Sequence, residues 1–175
     1  MMTSRKYWLS GLLVLSSVLL STLIPGGPIE TRSFAHIDPI ILGSFNIFLT
    51  SLNIGSLLLA YFVWQEQRWS FLASAIFGLS YFFTYTLDLG GLFPISPDAM
   101  PLALFSIEIA GTAIALPLTI AAAQAMQDSI QTPIDGRNAI AIDSTATVKW
   151  SILMLILAVL AVAIVIFATR SAMAL

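Results

Sequence analysis

Long apolar runs separated by short polar breaks set the plan of this chain. Five runs stand out, at residues 7–24, 40–64, 69–92, 101–125 and 150–169. Each is near the roughly 20 residues an α-helix needs to cross a bilayer. The breaks carry turn chemistry. Pro25-Gly26-Gly27-Pro28 closes the first run, and Gln65-Glu66-Gln67-Arg68 joins the second to the third. Gly90-Gly91 with Pro94, Pro97 and Pro101 separates the third from the fourth. The pattern predicts an all-α, multi-pass transmembrane helical bundle of about five spans, built as one integral membrane domain over 1–175.

Finer expectations follow from the breaks. The tight connection at 65–68 predicts an antiparallel hairpin of the second and third helices. Ser96-Pro97 has helix-start chemistry, a Ser N-cap with Pro at the first helical position, and predicts that the fourth helix begins before Pro101. In the last connection, Asp135-Gly136 is a turn signal, and the weak alternation of 138–148 predicts a short hairpin. The stretch 152–168 has no charge and no strong polar group. It predicts a peripheral C-terminal helix facing lipid or another subunit, outside a four-helix core.

Composition removes the soluble alternatives. Of 175 residues, 58% are hydrophobic and 9% charged, against about 25% charged in a soluble domain. Mean hydropathy is +0.95. The net charge of −2 and the absence of a basic patch speak against nucleic acid as a partner. There is no cysteine, which excludes disulfides and thiolate chemistry. Arg5 and Lys6 precede the first run as they would in a signal peptide. No small-x-small cleavage site follows Ile24, so the run is expected to persist as a membrane helix.

Charge placement predicts orientation. With the N-terminus cytoplasmic, Arg5, Lys6, Arg68, Arg137 and Lys149 lie inside, and only Arg32 and Arg170 lie outside. Positive residues concentrate on the cytoplasmic side, so the N-terminus is expected in and the C-terminus out. Tyr7, Trp8, Trp64, Trp69 and Trp150 then fall at the inner interface, where amphipathic rings settle. A bacterial-type inner membrane and a thylakoid read alike. Expected partners are the lipid bilayer and other membrane subunits or a second copy of the chain.

Within the spans the polar residues are not scattered. On the third helix Ser74, Gly78, Tyr81, Tyr85 and Asp88 fall at steps of four and three, which places them on one face. Gly43, Asn46, Thr50 and Asn53 do the same on the second helix, and Glu108, Thr112, Ala115 and Thr119 on the fourth. Stripes of small and polar residues turn inward in membrane bundles. Glu108 is the sharpest of these residues, because a carboxylate at a helix centre in lipid costs about 2.5–3.5 kcal/mol.

Spacing brings Glu108, Asp88, Tyr85, Asn46, Thr50 and Thr112 together in the outer half of the bundle. Arg32 and His36, in the loop at 25–39, are expected to cover them, with Arg32 as the counter-charge of Glu108. The leading expectation is a non-enzymatic membrane protein with a polar, acidic outer pocket. It would bind a small polar ligand, an ion or a lipid head group, or serve as a subunit of a larger membrane complex. A small ion- or proton-coupled transporter using Glu108 is the alternative, and a membrane enzyme acting on a lipid or quinone the third. The bland reading is that the cluster only holds helices together. No cofactor is indicated. His36 is the sole histidine, which rules out a bis-His haem within the chain. His36-x-Asp38 with Glu30 could bind a metal or ligate a pigment, but an ordinary loop histidine is the leading reading. There is no HExxH, no Ser-His-Asp spacing that stands out and no P-loop. Gly43 and Gly55 are expected to aid packing, and Pro117 to kink the fourth helix.

Overall fold

The computed structural model describes residues 2–131 and 144–174. Its elements are α1 (Met2–Thr22), α2 (Pro39–Trp64), α3 (Arg68–Leu89), α4 (Leu102–Gln131) and α5 (Ser144–Ala174), with no strand among the described residues. Four helices are long and apolar enough to cross a membrane: Pro39–Trp64, Arg68–Leu89, Leu102–Ile130 and Leu153–Met173. The first helix does not meet that measure, so four of the five expected spans are candidates by length and composition. Arg5 and Lys6 lie inside α1, and Ser10, Ser16, Ser17 and Ser21 dilute its apolar character.

Local chemistry explains most of the helix ends. Asp38 caps α2, its Oδ1 accepting from the Ile40 amide at 2.8 Å, and Pro39 opens the first turn. The α2–α3 turn closes when the Gln65, Glu66 and Gln67 amides donate to carbonyls of the last turn of α2. Glu66 takes a φ of 56°, a left-handed conformation that L residues rarely adopt. Two expectations fail. Ser96 does not start α4, which begins at Leu102. Its hydroxyl accepts from the Asp98 amide and donates to the Ser33 carbonyl, so it ties two loops together. Residues 144–148 belong to α5 rather than to a hairpin, because a helix-length apolar run follows them directly. Residues 138–143 and the Asp135-Gly136 turn lie outside the described residues.

The helices pack as two close pairs, α1 with α2 and α3 with α4. The pairs join through α1 against α4 and α2 against α3. Glycine sets the α3–α4 distance. A Cβ on Gly78 would stand 2.4 Å from Thr119 Oγ1, and one on Gly111 2.5 Å from the Tyr85 ring. Gly55 likewise faces Phe77, whereas Gly43 meets nothing within 4 Å and does not serve packing as expected. Along the α1–α2 seam, Ser10 donates to the Ala60 carbonyl, Ser17 bonds Asn53, and Asn53 Nδ2 donates to Ser21. Such bonds let polar groups find partners between apolar helices. At the centre, Tyr81 is fully buried and its hydroxyl shares a hydrogen bond of 2.9 Å with Ser56. Pro117 sits inside α4 without ending it.

Among the described residues the helix contacts of α5 are with α2, and just 6% of its apolar window is buried. It is tied to the rest by the Phe34 amide, which donates to the Ala172 carbonyl at 2.9 Å, and by Asn46 on α2.

Candidate functional site

The α1–α2 and α3–α4 loops lie at one end of the bundle, and there one guanidinium grips two carboxyls with a third close by. Arg32 is buried in the α1–α2 loop. Its Nε donates to Glu30 Oε1 at 3.0 Å and its Nη2 to Glu30 Oε2 at 2.6 Å. Its other edge donates to Asp88, Nη1 to Oδ1 at 2.9 Å and Nη2 to Oδ2 at 2.8 Å. The Arg32 amide also donates to Glu30, and the guanidinium lies over the Phe34 ring. A planar fork that grips two carboxylates bidentately is a task for Arg and not for Lys. Burial by itself would lower the Arg32 pKa; the hydrogen bonds to Glu30 and Asp88 outweigh it and hold the pKa above the ordinary guanidinium value.

Glu108 is the third acid, six residues into α4 and about 9 Å along its axis. It is 1% exposed, and its carboxyl lies beside that of Asp88. Its Oε2 has no hydrogen-bond partner. The Tyr85 hydroxyl is also buried and without a partner. Both side chains line a cavity of about 50 Å³ between α1, α2, α3 and α4. Glu30, Asp88, Asn46 and Thr84 share its wall with apolar groups such as Leu20, Leu42 and Phe45. Since a water molecule needs about 10–15 Å³, the cavity suits something very small. A second, wider cavity of about 340 Å³ lies on the loop side and is lined by Arg32, Asp88, Pro94, Ser96 and Asp98. Asp88 and Pro94 face both spaces, so the Arg32–Asp88 pair stands at their junction.

Residues 5–134 match a family model described as a domain of unknown function, DUF8051. The chain belongs to that family. The match takes in Glu30, Arg32, Tyr85, Asp88 and Glu108, and it stops before α5. No curated protein and no solved structure matches the chain.

In this DUF8051 chain the expected site residues separate into two groups. Glu108, Asp88, Tyr85 and Asn46 line the small cavity, and Arg32 sits beside it through Asp88. Thr50 is buried but lines a different cleft of about 30 Å³ between α1, α2 and α5. Thr112 donates to the Glu108 carbonyl at 2.8 Å and satisfies backbone instead. His36 is exposed and lines neither cavity described above. The expected counter-charge is also corrected: Arg32 bonds Glu30 and Asp88, not Glu108. Glu30, expected only beside His36 and Asp38, was not expected at this cavity, nor were Thr84 and Pro94. Only Glu30 left a signal, as an acid two residues from the sole loop arginine at that end. Among the described residues no group of three or more His, Asp or Glu side chains is arranged to hold a metal ion.

Proposed function

We propose that this DUF8051 protein is a non-enzymatic membrane protein that binds a small hydrogen-donating cation in the acidic cavity. The cation is of the ammonium or hydronium type. One observation carries the reading. Two buried polar atoms, Glu108 Oε2 and the Tyr85 hydroxyl, lack partners and face the same small space. Buried polar groups are nearly always hydrogen-bonded, and an unpaired one is costly. Glu30 and Asp88 share one guanidinium, and Glu108 lies beside them without a bond to it, so a positive donor suits the site better than a neutral or anionic ligand. A hydrogen-donating ion needs fewer convergent acids than a coordinated metal.

The site lies in the outer half of the bundle on the orientation that places Arg5, Lys6 and Arg68 inside. The first helix is proposed to cross as well. It runs antiparallel along α2, from Ser10 beside Ala60 to Ser17 beside Asn53, and so shares its depth.

Thermal unfolding of the purified protein in lipid nanodiscs tests this. Ammonium chloride is compared with sodium chloride at equal ionic strength, and a pH series without ammonium separates hydronium from ammonium. At a ligand concentration of 100 Kd the gain is about 2.7 kcal/mol. The wild type is expected to gain and Glu108→Gln not to. An equal response of both proteins to ammonium and to pH contradicts the assignment. The position of the Arg32–Asp88 pair between two cavities favours a second reading, a carrier in which this pair opens. Ammonium-dependent alkalinisation inside proteoliposomes, lost in Glu108→Gln, is its signature.

A further inference from the structure

The opposite end of the bundle, below the α2–α3 turn, has a cleft that the acidic site does not use. Its volume is about 210 Å³, some four times that of the acidic cavity. The floor is apolar, formed by Leu9 and Trp8 of α1, Phe71 of α3 and Ala125 of α4. The rim carries two cations and two anions: Arg5 and Lys6 on α1, Glu66 in the turn, Asp128 on α4. They form two ion pairs, Arg5 with Asp128, and Lys6 Nζ with Glu66 Oε1 at 2.8 Å. Both Arg5 and Asp128 are 52% exposed, so their pair is readily rearranged. Glu66 is held at its rim position in the left-handed conformation. Such strain persists only where the surroundings impose it, and it collects at functional sites. Trp8 is 60% exposed beside this rim, at the level where indole rings meet lipid head groups.

From this pattern we propose that the cleft binds one glycerophospholipid with a primary-ammonium head group. The phosphate sits against Arg5 and Lys6, the ammonium between Glu66 and Asp128, and an acyl chain follows the apolar floor. Among the described residues that line it, the rim offers cations on α1 and acids from the turn and α4, which complements a zwitterion. An anionic lipid satisfies the two cations and is repelled by the two acids. A choline lipid has the same charges, but its quaternary ammonium has no N–H to donate to the carboxylates.

Native mass spectrometry of the full chain tests the proposal, with phosphatidylethanolamine, phosphatidylglycerol and phosphatidylcholine offered in equal amounts. The wild type is expected to retain one phosphatidylethanolamine in preference to the others. Arg5→Gln and Glu66→Gln each weaken that retention roughly tenfold, the effect of losing one charge-assisted bond. Glu66→Gln also raises phosphatidylglycerol retention, because an acid that repelled it is gone. A purely structural role of Glu66 does not move that preference. Ala125→Phe fills the cleft and removes retention of all three. Should it fail to fold, the half-exposed Arg5→Gln still decides the matter. Equal retention of the three lipids by the wild type overturns the proposal, as does wild-type selectivity in both rim variants.

Discussion

Arg32 holds the acidic end together, and its removal is the most damaging single change expected at this site. Four of its side-chain donors are engaged by two carboxylates, the buried Glu30 and the partly buried Asp88. Arg32→Ala leaves the buried Glu30 and the partly buried Asp88 without a cation, at a cost of about 3–5 kcal/mol. Arg32→Lys keeps the charge but loses the bidentate fork, and falls between Ala and wild type in chemical denaturation. Glu108→Gln is different. Glu108 takes no bond from Arg32, so this change is expected to cost little stability while removing the carboxyl that the proposed cation would meet. At this scale the sequence was informative on the helices and poor on the loops. The three-and-four spacing put Tyr85 and Asp88 on one inward face, and Glu108 announced itself as an acid in an apolar run. The pairing of Arg32 with Asp88 spans 56 positions and depends on a loop path that no periodicity encodes. Thr50 shows the limit even within a helix. It shares a face with Asn46, yet one turn further along α2 that face meets α1 and α5 instead of the acids.

At the level of elements, close approach of α3 and α4 fixes where Tyr85 and Glu108 stand. Gly78→Ala and Gly111→Ala each force a Cβ into a neighbour and should destabilise by about 1–3 kcal/mol, the usual cost of overpacking. Because the Gly111 position presses on the Tyr85 ring, Gly111→Ala should also weaken cation binding more than Gly78→Ala. Gly11→Ala is the control. Nothing lies within 4 Å of its Cβ position, and Ala in a helix is favoured over Gly by about 1 kcal/mol. Thermal melts of the three variants read these differences in one series. Existence and order of the helices were legible from the run lengths and the Pro and Gly breaks. The start of α4 was misread because Ser96-Pro97 is equally good turn chemistry, and its hydroxyl is taken by Ser33 and Asp98. The start of α5 was misread because the weak alternation of a few residues lost to the long apolar helix that follows.

For the whole molecule, the proposed orientation is read by labelling the loops at its two ends. The absence of native cysteine makes single-cysteine labelling unambiguous. Ala35→Cys, exposed in the α1–α2 loop, should react with a membrane-impermeant maleimide in intact cells. Gln65→Cys, exposed in the α2–α3 turn, should react only after permeabilisation. The reverse pattern would place the acidic cavity on the cytoplasmic side. The helices α1 to α4 and the loop between the first two carry the acidic cluster, while α5 leans on α2 with most of its described surface exposed. Mean composition was enough to indicate a membrane bundle, but α1 shows why a count of spans was not. Its serines lower its hydropathy and at the same time bond α2 along their common length.

The central claim is that Glu108 anchors a small cation beside Asp88 and Tyr85. Isothermal titration calorimetry with ammonium chloride tests it most directly, on the protein in nanodiscs and with sodium chloride as the blank. The account predicts a saturable heat equivalent to one ion per chain in the wild type, weakened in Tyr85→Phe and absent in Glu108→Gln. No saturable heat in the wild type at any pH, or an isotherm unchanged in Glu108→Gln, would contradict it.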